Sequence, residues 1–239
     1  MNRFVAWICK FIPTHLSNRA MVRVFQIMRR FQRHGDMLSL SHDSQNVEAE
    51  PGFNMIECQN DLANMHIGLT SVQAAGCEVI ATYNVIKSLS ENKKMWDGVG
   101  KITGWLPLSY LISQYEKDGI VLSGKFGVAP LAIVDMLRRL GYNTDVYIPG
   151  KRRLFGRKKP FDISDFFDRS RALIMTFYND GEDLMKQIHT VAVTKKDNTY
   201  TAHNVYGNGY VHGPFDSMDD LVSSIGSGRA KPIIYISIL

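Results

Sequence analysis

The feature that most constrains this chain is a change of hydrophobic period partway along it. Up to about residue 141 the apolar residues recur at helical spacing, and beyond it they gather in short β-rich runs. Residues 77–89 carry Val79, Ile80, Tyr83, Val85, Ile86 and Leu89, a buried-helix pattern that starts at or just before Cys77. Further helices are predicted over 106–117 and 130–140, the latter with Pro130 suited to a first turn and Gly141 to a carboxyl-terminal cap. The β-rich runs fall at 143–148, 172–178, 189–194, 199–205 and 233–238, bounded by Gly, Asp and Asn. A helix beginning at Ser217, with Asp220 in a capping-box-like position, separates the last two. Helices first and strands later imply an α+β fold, a helical layer packed on a mostly antiparallel sheet.

With 239 residues, 45% of them hydrophobic, the chain is long enough for one sizeable core and an appendage. Residues 1–35 form a basic amphipathic extension: Arg3, Lys10, Arg19, Arg23, Arg29, Arg30 and Arg33 stand there with no acid. Taking those seven from 28 Lys and Arg leaves 21, against 23 Asp and Glu, so the rest of the chain is slightly acidic apart from the basic run 151–159. The extension reads as two helices broken near Pro13. Such helices either lie on an anionic membrane surface or a protein partner, or brace the main domain; the brace is the favoured reading. Residues 36–59 lose periodicity and read as a polar linker, with the main domain over 60–239. No run approaches the roughly twenty apolar residues of a spanning helix, and no cleavage site follows the first apolar run. Three cysteines, Cys9, Cys58 and Cys77, have neither disulfide-framework nor zinc-ligand spacing. A reducing, cytoplasmic setting is expected, peripheral to the inner membrane surface if the extension binds lipid, with no metal and no cofactor.

Residues 73–78, Gln-Ala-Ala-Gly-Cys-Glu, are the most informative stretch. A thiol at a helix amino end lies in the field of first-turn N–H groups, which lowers its pKa and favours the reactive thiolate. Those amides can also donate to an oxyanion, with Gln73 as a candidate second donor and Gly76 leaving room beside the sulfur. The alternative is that Cys77 is a small buried hydrophobe. A nucleophile needs a base, and His189 opens an alternating strand, with His203 as its rival. If Asp197-Asn198 is a two-residue hairpin loop, His189 lies opposite Tyr206 and shares a face with Asn204, while His203 points the other way. An odd-length loop reverses that assignment, and Asn204 can also simply support a turn before Gly207.

These residues resemble a known family. The Gly76-Cys77-Glu78 helix start, the His189 strand and Asn204 fifteen residues later are similar to papain-like cysteine peptidases, nearest to the bacterial branch related to bacteriocin-leader-processing peptidases. The likeness extends over residues 59–239 and includes Phe126-Gly-Val-Ala-Pro130 and Leu137-Arg-Arg-Leu-Gly141. It implies a Cys77–His189–Asn204 site, Gln73 in the oxyanion hole, and a thiol peptidase acting on a peptide or other acyl substrate. The same scaffold could serve an acyltransferase, or a non-catalytic binding module.

Three other features carry less. Residues 119–126 approach a phosphate-binding loop, but Phe126 stands where Ser or Thr is required, so they read as a loop near the cleft. The basic run 151–159 could meet nucleic acid or anionic lipid, but with one aromatic, Phe155, and no nucleic-acid fold around it, it reads as a solvated loop, so no nucleic-acid partner is expected. Asp180, Glu182 and Asp183 crowd one turn rather than facing each other across a cleft.

Overall fold

A computed structural model of the protein describes residues 17–34, 45–46, 54–90, 106–150, 163–179, 188–205, 211–225 and 230–239. The first amino-terminal helix, most of the polar linker, the basic run 151–159, the acidic turn 180–183 and Tyr206 lie outside them. In chain order the elements are α1 (Asn18–His34), a 3-10 turn (Gln59–Leu62), β1 (His66–Ile67), β2 (Thr70–Ser71), α2 (Val72–Ala75) and α3 (Cys77–Leu89). Then come α4 (Leu108–Lys117), α5 (Pro130–Arg139), β3 (Thr144–Tyr147), α6 (Ile163–Asp168), β4 (Ala172–Tyr178) and β5 (Ile188–Lys196). β6 (Thr199–His203), β7 (Val211–Phe215), α7 (Met218–Ser224) and β8 (Lys231–Ile238) complete the chain.

Six strands form one sheet in the order β3-β8-β4-β5-β6-β7, and every neighbouring pair is antiparallel. The fold is α+β. β4 is buried at all seven positions because it is covered on both faces. Its Ala172 and Ile174 enter one core with α1, α3, α4 and α5, while Leu173, Met175 and Phe177 enter a second with α6 and α7. The sheet therefore lies between two helical layers, where the sequence suggested one. α6 is too short, with acids at 165 and 168, to display a helical period. β7, Val-His-Gly-Pro-Phe, reads as a loop in sequence and is tolerated as a strand at the sheet edge.

The β5–β6 hairpin closes through Asp197 and Asn198, at φ +49° and +63°. Two successive left-handed residues make a two-residue loop that matches strand twist. Ala192 consequently pairs with His203 and Thr194 with Thr201, the register a two-residue loop demands.

α3 is buried at every residue from Cys77 to Ile86, its apolar residues in the core and its Glu78, Thr82 and Asn84 each hydrogen-bonded there. Gly76 joins it to α2 by close approach: a Cβ there would lie 2.5 Å from Val72 Cγ1. The space beside Gly76 is thus filled by Val72, so the glycine lets two helices meet instead of leaving room for a substrate.

α1 packs on the domain as a brace. Met21, Val22 and Phe25 join the first core, and Asn18 Nδ2 donates to the carbonyls of Pro149 (3.0 Å) and Pro232 (3.1 Å). Arg29, 4% exposed, donates from Nε to Asp118 Oδ1 at 3.0 Å and from Nη1 to Asp135 Oδ2 at 2.7 Å. Described parts of the polar stretch are fastened too. The Asn46 amide pairs with both backbone groups of His66, and the Asn84 amide with both of Ile56. Removing Arg29 leaves two partly exposed carboxylates without their shared cation. Arg29→Ala is expected to lower unfolding stability by about 2 to 3 kcal/mol. The exposed Arg23→Ala should change it by less than about 0.5 kcal/mol; urea midpoints measure both.

Candidate active site

The amino end of α3 brings Cys77 against β5. The sulfur meets the backbone N–H and hydroxyl of Thr190, and its other polar neighbour is the carboxyl of Glu78. Thr190 is itself held by Thr176, hydroxyl to hydroxyl at 2.9 Å. Burial pushes the Cys77 thiol well above its ordinary pKa, and the adjacent Glu78 raises it further. The depressed pKa expected of a helix-start thiol is therefore reversed. Glu78 is the reason the helix field is spent elsewhere: it takes a hydrogen bond from its own amide, and Val128 N–H donates to its Oε2 at 3.4 Å. The loop after α4 closes over this carboxyl. At Gly127, φ +63°, an added Cβ would lie 2.6 Å from Glu78 Oε2, so the near-phosphate-loop sequence serves here to bury an acid.

His189 is one residue before Thr190, and strand alternation turns it to the opposite face. Its ring stands edge-on to Phe177 at 5.7 Å between centroids. Nε2 lies 2.6 Å from the backbone carbonyl of Asn204. A carbonyl only accepts, so Nε2 carries the proton and Nδ1 holds the lone pair of the neutral ring. Burial lowers the His189 pKa from 6.5 to about 4, the Asn204 carbonyl opposing that in part. The imidazole is neutral at pH 7.

Asn204 meets His189 through its main chain and not through its amide, because its backbone leaves the strand at φ +61°. That left-handed turn aims the carbonyl at the ring and sends the side chain to Gln59. Gln59 N–H donates to Asn204 Oδ1 at 3.0 Å, and Asn204 Nδ2 donates to Gln59 Oε1 at 3.2 Å. Gln59 Nε2 then donates to the carbonyl of Gln73 at 2.7 Å. Gln73 is itself exposed on α2, so this network uses its carbonyl. The rival His203 is held between Thr194 Oγ1 (2.8 Å) and the Glu57 carboxylate (2.9 Å).

Two groups result, Cys77–Glu78–Thr190 and Gln59–Asn204–His189. They are joined by adjacent β5 residues and by the Gln59–Gln73 bond. Both lie where β6 ends: its pairing with β5 reaches only to Ala192↔His203, so positions 189 and 190 run past it. Sequence reasoning missed Gln59, Glu78 and Thr190. Glu78 was visible as an acid inside an apolar helical run, whereas Gln59 and Thr190 had no local signal. Among the described residues no three His, Cys, Asp or Glu side chains gather as metal ligands. Compared with known proteins, the sequence matches no family model, no curated protein and no solved structure.

Glu78 and His189 make opposite contributions to stability. Burial raises Glu78 from 4.5 to about 7, so its stabilisation is complete below pH 4.5 and lost as pH rises through 7. That of His189 is complete above pH 6.5 and lost as pH falls through 4. Each amounts to about 3 kcal/mol, and between pH 4.5 and 6.5 the two slopes cancel. Relative to the unaltered protein, Glu78→Gln should gain about 3 kcal/mol between pH 4.5 and 7 in urea unfolding. A difference that does not vary with pH would mean that Glu78 stays in one protonation state.

Proposed function

We propose that this chain is a papain-like cysteine hydrolase, a thiol peptidase that cleaves a peptide bond through a thioester on Cys77. The observation that carries the reading is the meeting of three things at the end of β6: a helix-start sulfur, the strand bearing His189, and the Asn204 carbonyl that fixes the imidazole tautomer. In this mechanism Cys77 attacks the substrate carbonyl while His189 Nδ1 takes the thiol proton. The same proton passes to the departing amine as the C–N bond breaks. Water then attacks the thioester, giving its proton to His189, and the sulfur leaves and is reprotonated. Asn204 fixes the tautomer of the resting imidazole, and the Cys77 amide with the exposed Gln73 side chain forms the oxyanion hole.

Both partners rest uncharged, so proton transfer accompanies attack and does not precede it. In the resting structure alternation directs the ring away from the α3 face, so attack requires His189 to release the Asn204 carbonyl and turn about the end of β5. A second reading, a non-catalytic module, draws on those same facts: a buried thiol whose pKa is raised, with Thr190 as its nearest strand partner. A peptidyl vinyl sulfone separates the two, since it alkylates an activated sulfur selectively. Adduct formation at Cys77, absent in Cys77→Ala and slowed at least about a hundredfold in His189→Ala, supports the peptidase. Cys58, half-buried and unlinked, is the internal control. Labelling of Cys58 and Cys77 at equal rates, or of neither, would leave the module reading in possession.

A further inference from the structure

α1 carries a second feature that the brace does not use. Arg19, Arg23, Ile27 and Phe31 succeed one another four residues apart, which sets them in a single row along the helix. All four side chains are exposed, Ile27 at 51% and Phe31 at 74%. The row is fixed outward because the opposite side is fastened at both ends, by Asn18 to Pro149 and Pro232 and by Arg29 to Asp118 and Asp135. α1 contains no Asp or Glu, so no acid within the helix answers its cations. Among the described residues no helix is long and apolar enough to cross a membrane.

We infer that this row docks the protein on an anionic lipid surface, with α1 lying along the bilayer plane. Phe31 and Ile27 enter the acyl boundary while Arg19 and Arg23 meet the headgroup charges. Charge complementarity selects this occupant. A second copy of the row offers no negative charge in either direction, setting arginine on arginine when parallel and arginine on Ile27 or Phe31 when antiparallel, whereas an anionic bilayer supplies both negative charge and an apolar layer. The remainder of the chain is balanced overall, 21 Lys and Arg against 23 Asp and Glu, but concentrates six cations in the run 151–159, so the variants of α1 are what separate the row from that run.

The test is co-sedimentation of the full chain with vesicles of phosphatidylcholine, alone or mixed with phosphatidylglycerol, at low and physiological salt. Binding is expected only to the mixed vesicles and should weaken as salt rises. Arg19→Glu with Arg23→Glu should reduce it at least about twentyfold, from about fivefold for each arginine lost. Ile27→Ser with Phe31→Ser should reduce it at least about tenfold. The unaltered chain alone keeps the idea falsifiable: equal binding to neutral and anionic vesicles, or none to either, overturns it. So does unchanged binding by both double variants, which would place attachment elsewhere. Self-association in ultracentrifugation that Phe31→Ser abolishes, without vesicle binding, would assign the row to a second copy. Capture by an acidic protein in the absence of lipid binding would likewise overturn the assignment.

Discussion

One buried side-chain amide ties α2, and through it the start of α3, to the end of β6. Gln59, 2% exposed, engages its own N–H and both ends of its side-chain amide by bridging Asn204 on one side and the Gln73 carbonyl on the other. Burying an amide without partners costs on the order of 2 kcal/mol or more, so each bond constrains both ends. Asn204 can hold its left-handed turn because its side chain is occupied, and that turn delivers the carbonyl to His189. The position of α3 relative to the end of β6 therefore rests on polar satisfaction as well as on apolar packing.

Electrostatics here follows from burial. The thiol, the imidazole and the Glu78 carboxyl are all shifted toward their neutral forms, and desolvation is the leading cause for each. A carboxyl beside the sulfur takes one of the first-turn amides, that of Glu78 itself, which would otherwise favour thiolate. On the proposed hydrolase reading, Cys77 stays protonated until a substrate brings the groups into line. Such a resting state is protected against adventitious oxidation, because the thiolate is the form that reacts.

Much of the architecture was legible because it depends on local pattern. The start of α3 at Cys77, Pro130 opening α5 and Ser217 capping α7 through the Asp220 N–H all carry their signals within a few residues. The hairpin register followed from Asp197-Asn198 alone. What escaped was long-range. Gln59 meets Asn204 across 145 positions, and neither residue's neighbours betray the pairing. The second helical layer escaped because α6 and α7 are short, and an apolar β4 reads the same whether one or two layers cover it. The direction of the Cys77 shift escaped because helix position was visible in sequence and depth was not.

The attachment of α1 has a bearing on synthesis. Asn18 precedes Pro232 by 214 residues, and Arg29 precedes Asp135 by 106. As the chain leaves the ribosome, α1 is complete long before β8 exists to receive it. The earliest of the described helices is thus not fully secured until the last strand has emerged, and until α5 is made its apolar side stays open to whatever surface the nascent chain meets first.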